Sequence, residues 1–158
     1  MSEMTKDIEQ YLQTKFGNSI GESNERQLYQ ALMAETRNRL LKKRYDYTKK
    51  LKESGQKQAY YMSMEFLVGR TLRNNLFNLG LEEEIRSFLA EKNFDLDKIY
   101  DMEPDPGLGN GGLGRLASCY LDALTSNDYP VTGFSILYEF GIFKQVIANG
   151  WQQEYPDN

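Results

Sequence analysis

The sequence predicts an α/β fold with a helix-rich start, followed by strands and a hairpin. Three observations support this class. Apolar side chains recur at helical spacing over residues 24–53, a short aromatic run at Ala59–Ser63 has the character of a buried strand, and further strand-like stretches come only after more helical segments. Strands that are separated by helices usually pair in parallel, so we expect a parallel sheet.

The first part of the chain is predicted to be helical. A short helix is expected over Thr5–Phe16 and should end at Gly17, and a long helix should begin after Asn24 and end at Gly55. Asn24 is a good N-cap residue, and Gln27 three positions later completes a capping box. Glycine is typical of helix ends, because it adopts the left-handed backbone that other residues avoid.

The middle of the chain is predicted to contain more helices. The spacing of apolar residues is helical over Met64–Leu79, and Gly80 should end that helix. Glu82–Glu84 should open the next helix, since carboxylates suit the positive end of the helix dipole. Asp95 should cap one more short turn, which runs through Tyr100.

The last third is predicted to hold a helix and three strands. The helix should begin at Leu113, and strands should follow at Val131–Tyr138 and Ile142–Ala148. Asn149-Gly150 is typical of a type I′ turn, so the chain should return as a hairpin through Trp151–Glu154. These strands are too few to complete a sheet, and we therefore expect the chain to be part of a longer protein.

Composition and charge exclude several classes of function. The 40% apolar and 27% charged residues are ordinary for a globular protein, and the net charge of −4 argues against nucleic acid or anionic membranes as partners. The start has no signal-peptide pattern, and no apolar run is long enough to span a bilayer, so a cytoplasmic location is expected. The sequence has no histidine and one cysteine, Cys119, which excludes an internal disulfide and a Cys/His metal site. Cys119 lies in an apolar helical stripe and is expected to be buried.

A glycine cluster is the strongest chemical signal. Residues 107–114 contain five glycines in eight positions, immediately before the predicted helix at Leu113. Glycine permits close backbone approach, and a helix start offers unpaired N–H groups at its positive end. The combination predicts an anion site, with phosphate as the natural ligand.

Other glycine motifs fit less well. The dinucleotide pattern G-x-G-x-x-G matches from Gly107 and again from Gly109, but it requires a hydrophobic strand directly before it, and Asp101–Pro106 is acidic and contains two prolines. A Walker A loop is excluded, because Arg115-Leu116 stands where Lys-Ser/Thr is required. Three alternatives to enzymatic use stay open: a stand-alone phosphate- or nucleotide-binding module that uses the Gly107–Gly114 loop, a non-catalytic interaction domain, and a tight turn without a ligand.

Four motifs in order resemble α-glucan (glycogen, starch or maltodextrin) phosphorylases. Glu103–Leu121 resembles the glycine loop and following helix of that family, and Tyr60–Thr71 resembles its upstream segment. Tyr138–Phe143 and Asn149–Gln152 match further downstream. The likeness extends from about Asn24 to the end of the chain. It implies that residues 1–158 are part of an amino-terminal phosphorylase domain, with a helical segment at 1–56 and the start of an α/β domain at 57–158.

The resemblance implies a two-domain enzyme of the glycosyltransferase-B type. Such enzymes cleave terminal α-1,4-linked glucose from a glucan with orthophosphate and release glucose 1-phosphate. Their pyridoxal 5′-phosphate lies in the cleft between the domains, where its phosphate group relays a proton. The lysine that carries this cofactor belongs to the other domain, so this fragment alone should be inactive. The family also implies a homodimer or larger assembly. No regulatory phosphorylation segment is evident, which suggests an unregulated enzyme.

The resemblance also assigns roles to residues of the glycine loop. Gly111 and Gly112 would present backbone N–H groups to the phosphates and so act in catalysis, with Gly112 also touching the cofactor. Leu113 would line the glucosyl site. Asn110 would contact the cofactor or the sugar edge.

Residues outside the loop complete the expected site. Glu65 would border the same pocket and contact the sugar, although a carboxylate that caps a helix start is an equal alternative. Leu67 stands where animal members carry an aromatic residue near the cofactor. Arg70 and Arg115 are expected to form structural ion pairs rather than to bind phosphate. Leu137 replaces an arginine of the family pattern.

Overall fold

The computed structural model describes residues 2–157. Its α-helices are α1 (Glu3–Phe16), α2 (Glu25–Ser54), α3 (Leu72–Asn78), α4 (Glu82–Ala90), α5 (Leu96–Tyr100) and α6 (Gly112–Ser126), and a turn of 3-10 helix covers Ile20–Glu22. Its strands are β1 (Ala59–Met62), β2 (Val131–Phe134), β3 (Lys144–Ala148) and β4 (Trp151–Tyr155). A helix-rich chain with small sheets is compatible with the start of an α/β domain.

The chain divides into two compact units. The first comprises residues 2–47 and Arg70–Pro104, and the second comprises Thr48–Gly69 and residues 105–157. Each unit is assembled from two separated stretches, whereas the predicted segments 1–56 and 57–158 are continuous. The predicted segments follow from the likeness to a whole phosphorylase domain, and this division stays a prediction.

The first unit is a helical assembly around one apolar core. Burying this core removes apolar area from water at roughly 25 cal/mol per Å², which is the main force that holds the helices together. Its fully buried side chains come from α1 to α5 and include Ile8, Leu12, Leu28, Leu32, Leu72, Leu76, Ile85, Leu89, Leu96 and Ile99.

The helix boundaries follow the predicted caps. The Gln27 N–H donates to Asn24 Oδ1 and the Asn24 N–H donates to Gln27 Oε1, both at 3.0 Å, so the capping box that opens α2 is confirmed. Gly17 and Gly55 end their helices with φ of +71° and +62°. The Asp95 side chain accepts a hydrogen bond from the Asp97 N–H at the start of α5.

The predicted helix over Met64–Leu79 is wrong in its first half, because only Leu72–Asn78 is helical. The Phe66 N–H donates to the Leu108 carbonyl at 2.8 Å, and the Leu67 N–H donates to the Gly114 carbonyl at 3.0 Å. These two N–H groups bond to the glycine loop instead of to carbonyls of their own segment, so no helix forms around Phe66 and Leu67.

Strands β1 and β2 pair in parallel, which confirms the expected parallel sheet. The register places Ala59 opposite Val131 and Met62 opposite Phe134. The predicted strand Val131–Tyr138 is too long, since pairing ends at Phe134. Beyond that point the Tyr138 hydroxyl donates to the Met64 carbonyl at 2.9 Å, in place of ladder bonds.

Helix α6 packs against one face of this small sheet. The Tyr120 ring stacks on Tyr61, with ring centroids 5.8 Å apart. Gly133 on β2 lies so close to α6 that a Cβ there would come within 3.0 Å of the Leu121 side chain. The buried face of α6 is formed by its small residues, Gly114, Ala117 and Ser118.

Two expectations about the last third need correction or adjustment. Cys119 is exposed, so the expectation of a buried thiol is wrong, because the buried face of α6 is formed by Gly114, Ala117 and Ser118 and does not include Cys119. The hairpin of β3 and β4 is confirmed: Ala148 pairs with Trp151, and Asn149 and Gly150 have φ of +52° and +79°. Strand β3 begins at Lys144 rather than at Ile142.

Within residues 2–157, none of the helices is long and apolar enough to cross a membrane.

Candidate functional site

The glycine loop is fixed at its first residue, Gly107. Its φ of +60° lies in the left-handed region that favours glycine. The Gly107 N–H donates to Asp105 Oδ1 at 2.8 Å, and its carbonyl accepts from the Ile142 N–H at 2.7 Å. The chain thus turns sharply at Gly107 and is held both by Asp105, two residues earlier, and by the turn before β3.

Two further glycines let the loop pack against residues 65–67. A Cβ on Gly109 would lie 2.7 Å from the Leu67 nitrogen, which is closer than real side chains approach. A Cβ on Gly114 would lie 3.0 Å from Glu65 Oε2 and 3.3 Å from the Leu67 nitrogen. These glycines are required by close backbone approach within the protein itself.

Gly111 and Gly112 have a different environment. Both are exposed, and a Cβ at either position would meet no atom within 4 Å. Gly111 is the N-cap of α6 with an extended backbone, and no side chain caps the helix. The N–H groups of Gly112 and Leu113 therefore keep the free donor capacity that a helix start leaves, at the positive end of the helix dipole.

Glu65 lies beside this helix start. Its Oε2 accepts a hydrogen bond from the Asn110 N–H at 3.3 Å. No helix begins at Met64, so the alternative that Glu65 caps a helix of its own is wrong, and its carboxylate supports the glycine loop instead. A carboxylate in this position also adds negative charge close to the donors of α6.

A small cavity of about 80 Å³ opens beside the loop. It brings together Leu67 and Asn110, two of the three residues expected beside the cofactor, whereas the third, Gly112, does not line it. The other lining residues are Asp105, Gly107, Gly109, Phe143, Gln145 and Gln152. The cavity is not lined by the other expected site residues, Glu65, Gly111 and Leu113.

Sequence reasoning missed the two glutamines of this cavity. Gln145 on β3 and Gln152 on β4 hydrogen-bond to each other across the hairpin. The hairpin register could have predicted this contact, since Gln145 pairs with Glu154 and Gln152 is therefore its diagonal neighbour on the same face. Nothing in the sequence indicated that this pair would face the glycine loop.

The expected ion pairs are divided. Arg70 pairs with Asp101, with 3.0 Å between Arg70 Nη1 and Asp101 Oδ1. Among the described residues no ion pair of Arg115 is found. Leu137, which replaces a charge in the family pattern, is fully exposed.

Glu103 opens the motif that resembles the phosphorylase loop, yet its role here is structural. Its buried carboxylate accepts hydrogen bonds from the Thr71 N–H at 2.8 Å, from the Thr71 hydroxyl at 3.1 Å and from the Leu72 N–H at 3.0 Å. These bonds satisfy the start of α3, where no cap comes from the helix's own N-cap side chain. Among residues 2–157, no cluster of His, Cys, Asp and Glu suits a metal ion.

The glycine loop lies in a part of the chain that is similar to known proteins. The model of the carbohydrate phosphorylase family matches residues 89–158, which include the whole glycine loop. The chain is 54% identical to glycogen phosphorylase of Chlamydia pneumoniae over 101 residues, which are 64% of this chain and 12% of that protein. It is 44% identical to the Synechocystis glycogen phosphorylase over 147 residues, 93% of this chain and 17% of that protein.

The likeness extends to animal proteins. The brain form of glycogen phosphorylase from Bos taurus is 37% identical over all 158 residues, which cover 19% of its length. The chain thus spans less than a fifth of the length of these curated relatives. The match includes both the loop and the segment that packs against it, and the chain therefore belongs to the carbohydrate phosphorylase family.

Proposed function

We propose that this chain is the amino-terminal part of an α-glucan phosphorylase of the glycosyltransferase-B type, which cleaves terminal α-1,4-glucosidic bonds with orthophosphate. One observation carries the proposal for the site: the start of α6 presents uncapped N–H groups at Gly112 and Leu113, with open space in front of Gly111 and Gly112. Anions bind at such helix starts, and phosphate is the anion that this reaction uses. Glycogen phosphorylases among the relatives support the same substrate class.

In this proposal the chain supplies half of a phosphate site. Gly111 and Gly112 orient N–H donors toward the phosphates, Leu113 borders the glucosyl group, and Glu65 holds the loop through Asn110 at the sugar edge. Fixed donors of this kind stabilise developing negative charge without reorganisation. A cytoplasmic location and a homodimer or larger assembly are further parts of the proposal.

Pyridoxal 5′-phosphate fits this site in part. The open donors at the start of α6 suit a phosphate group, and Leu67 and Asn110 share the adjoining cavity. The cofactor would supply a second phosphate group that exchanges a proton with the substrate phosphate. This chain's own contribution is to hold those phosphates through backbone N–H groups, while the attachment lysine would lie outside it.

The proposal is tested in the longer enzyme that contains this sequence. Purified with pyridoxal phosphate, it should release glucose 1-phosphate from maltoheptaose and orthophosphate. The 158-residue chain should release none under the same conditions, because it lacks the lysine-bearing domain. Release by the short chain above a buffer blank would contradict the assigned roles, and an inactive longer enzyme would contradict the proposed reaction.

The stand-alone phosphate- or nucleotide-binding module stays an alternative without a specific observation in its favour. Its dinucleotide form requires a strand before Gly107, and residues 101–106 form none. A nucleotide that binds the short chain at micromolar concentration would favour this alternative.

A further inference from the structure

The turn before β3 holds the first residue of the glycine loop. The Ile142 N–H donates to the Gly107 carbonyl at 2.7 Å. A Cβ on Gly107 would lie 3.1 Å from the Gly141 Cα, so the two glycines meet backbone to backbone. No side chain separates the turn from the loop at this point.

Asp157 holds that turn from the opposite strand, at the open end of the hairpin where Lys144 pairs with Tyr155. It follows β4, and its Oδ2 accepts a hydrogen bond from the Gly141 N–H at 2.7 Å. A Cβ on Gly141 would meet the Asp157 carboxylate and would lie 3.0 Å from the Pro106 carbonyl oxygen. Asp157, Gly141 and Gly107 therefore form one line of contacts that leads into the loop.

The contact between Gly141 and Gly107 lies where it can affect the direction of the N–H groups at the start of α6. Gly107 is the loop residue with a left-handed backbone, and it stands five residues before Gly112. A rotation at Gly107 would act on the loop residues that lead to the start of α6, together with the bonds that hold the Leu108 and Gly114 carbonyls. Small displacements of catalytic donors are costly, since misplacement by about 1 Å reduces rates by about 100-fold.

We propose that Asp157 and Gly141 are positioning residues, which act through Gly107 to set the direction of the N–H donors at the start of α6. The inference rests on the proposed function, because it takes these donors as the phosphate site. Asp157 acts as a hydrogen-bond acceptor toward Gly141 and not through its charge. Asparagine at this position keeps an acceptor oxygen and should preserve the contact, whereas alanine removes it.

The experiment uses inorganic phosphate as the probe. Asp157→Ala, Asp157→Asn and the control Asp122→Ala, at an exposed site on α6, are titrated with phosphate while the amide signals of Gly111–Leu113 are followed by NMR. Asp157→Ala should weaken phosphate binding by about tenfold, because the hydrogen bond that fixes the Gly141 N–H is lost. Asp157→Asn and Asp122→Ala should stay within about twofold of the parent chain.

In the longer enzyme the same variants separate positioning from folding. Asp157→Ala should raise the KM for phosphate by about tenfold while the melting temperature changes little. In Gly141→Ala the added methyl group would press on the Pro106 carbonyl, so the KM for phosphate should rise as well. This variant replaces Asp157→Ala if Asp157→Ala does not fold. Parent-like phosphate binding in both Asp157→Ala and Gly141→Ala overturns the inference, as does equal weakening in Asp157→Asn and Asp157→Ala.

A failure of the proposed function gives a different result. If the parent chain shows no response to phosphate, the anion site is refuted while the line of contacts can still be measured. Amide hydrogen exchange over Gly107–Gly114 then decides: faster exchange in Asp157→Ala than in Asp122→Ala supports the positioning role, and equal exchange overturns it.

Discussion

At the residue scale, the glycines of one loop have unlike roles. Gly109 and Gly114 lie against residues 65–67, and Gly107 needs its left-handed backbone. Gly111 and Gly112 have neither constraint, because a Cβ would fit there in open space. Gly112 lies in the first turn of α6 and is not among the glycines with positive φ, so backbone conformation does not require glycine there.

Gly112→Ala in the longer enzyme should therefore lower kcat by about 100-fold, because a methyl group would stand in front of the donors that we propose to hold the phosphates. Its free energy of unfolding should change by less than about 0.5 kcal/mol, since alanine suits a helical position and meets no neighbour. Steady-state kinetics and urea unfolding measure the two quantities. Gly21→Ala, in the exposed 3-10 turn, is the control. A kcat close to that of the parent enzyme would show that the loop is structural.

Gly109→Ala should behave in the opposite way. Its methyl group would collide with the Leu67 backbone, so we expect the free energy of unfolding to fall by about 1–3 kcal/mol. Urea unfolding of the 158-residue chain tests this, with Gly112→Ala as the matched control in the same loop. Equal stabilities of the two variants would contradict the close packing of loop and segment.

At the element scale, α4 and α5 of the first unit meet around Tyr100. Its hydroxyl donates to Glu82 Oε1 at 3.4 Å, and the ring is almost fully buried. Burial, together with the Glu82 carboxylate, raises the pKa of the Tyr100 phenol to about 12. A phenol in the unfolded chain titrates near pH 10.

This difference in pKa predicts a loss of stability at alkaline pH. Above about pH 10 the unfolded chain releases the Tyr100 proton while the folded chain keeps it, so the free energy of unfolding should fall as the pH rises toward 12. Below pH 10 this contribution should be constant. Tyr100→Phe should show a shallower fall in urea unfolding between pH 9 and 11. Tyr29, whose pKa burial also raises, is present in both proteins and does not affect the difference. Parallel pH profiles would contradict the assignment.

At the scale of the whole molecule, the second unit exposes many apolar side chains. Ile147 is 66% exposed and Trp151 is 77% exposed, both on a two-stranded hairpin with open edges. Exposed edges and apolar patches recruit other chains. We expect the 158-residue chain to form a dimer or larger species, with the hairpin as the contact.

Sedimentation equilibrium at micromolar concentration tests this expectation. Ile147→Lys should shift the chain toward monomer, because a charge on the hairpin opposes edge pairing. Gln10→Lys, at an exposed position on α1, makes a similar change in charge elsewhere and should leave association unchanged. A parent chain that sediments as an 18.3 kDa monomer would contradict the prediction.

The sequence by itself determined the elements whose cause is local. Asn24 and Gln27 opened α2, Gly55 ended it, and Asn149-Gly150 made the turn of the hairpin, because caps and turns depend on neighbours within a few residues. The glycine cluster likewise predicted a loop that leads into a helix, which the structure has at the start of α6, whereas the anion site at this place stays a prediction.

Only the tertiary structure decided what depends on distant partners. Residues 64–71 have helical periodicity but are not helical, because the N–H groups of Phe66 and Leu67 bond to carbonyls of the glycine loop some 40 residues away. Cys119 is exposed because other residues of α6 form its buried face, and Asp157 contacts Gly141, which meets Gly107 of the loop. Hydrophobic periodicity shows only which residues are apolar. Every residue except proline carries backbone N–H and C=O groups, so no sequence pattern shows which carbonyl a given N–H group will bond to.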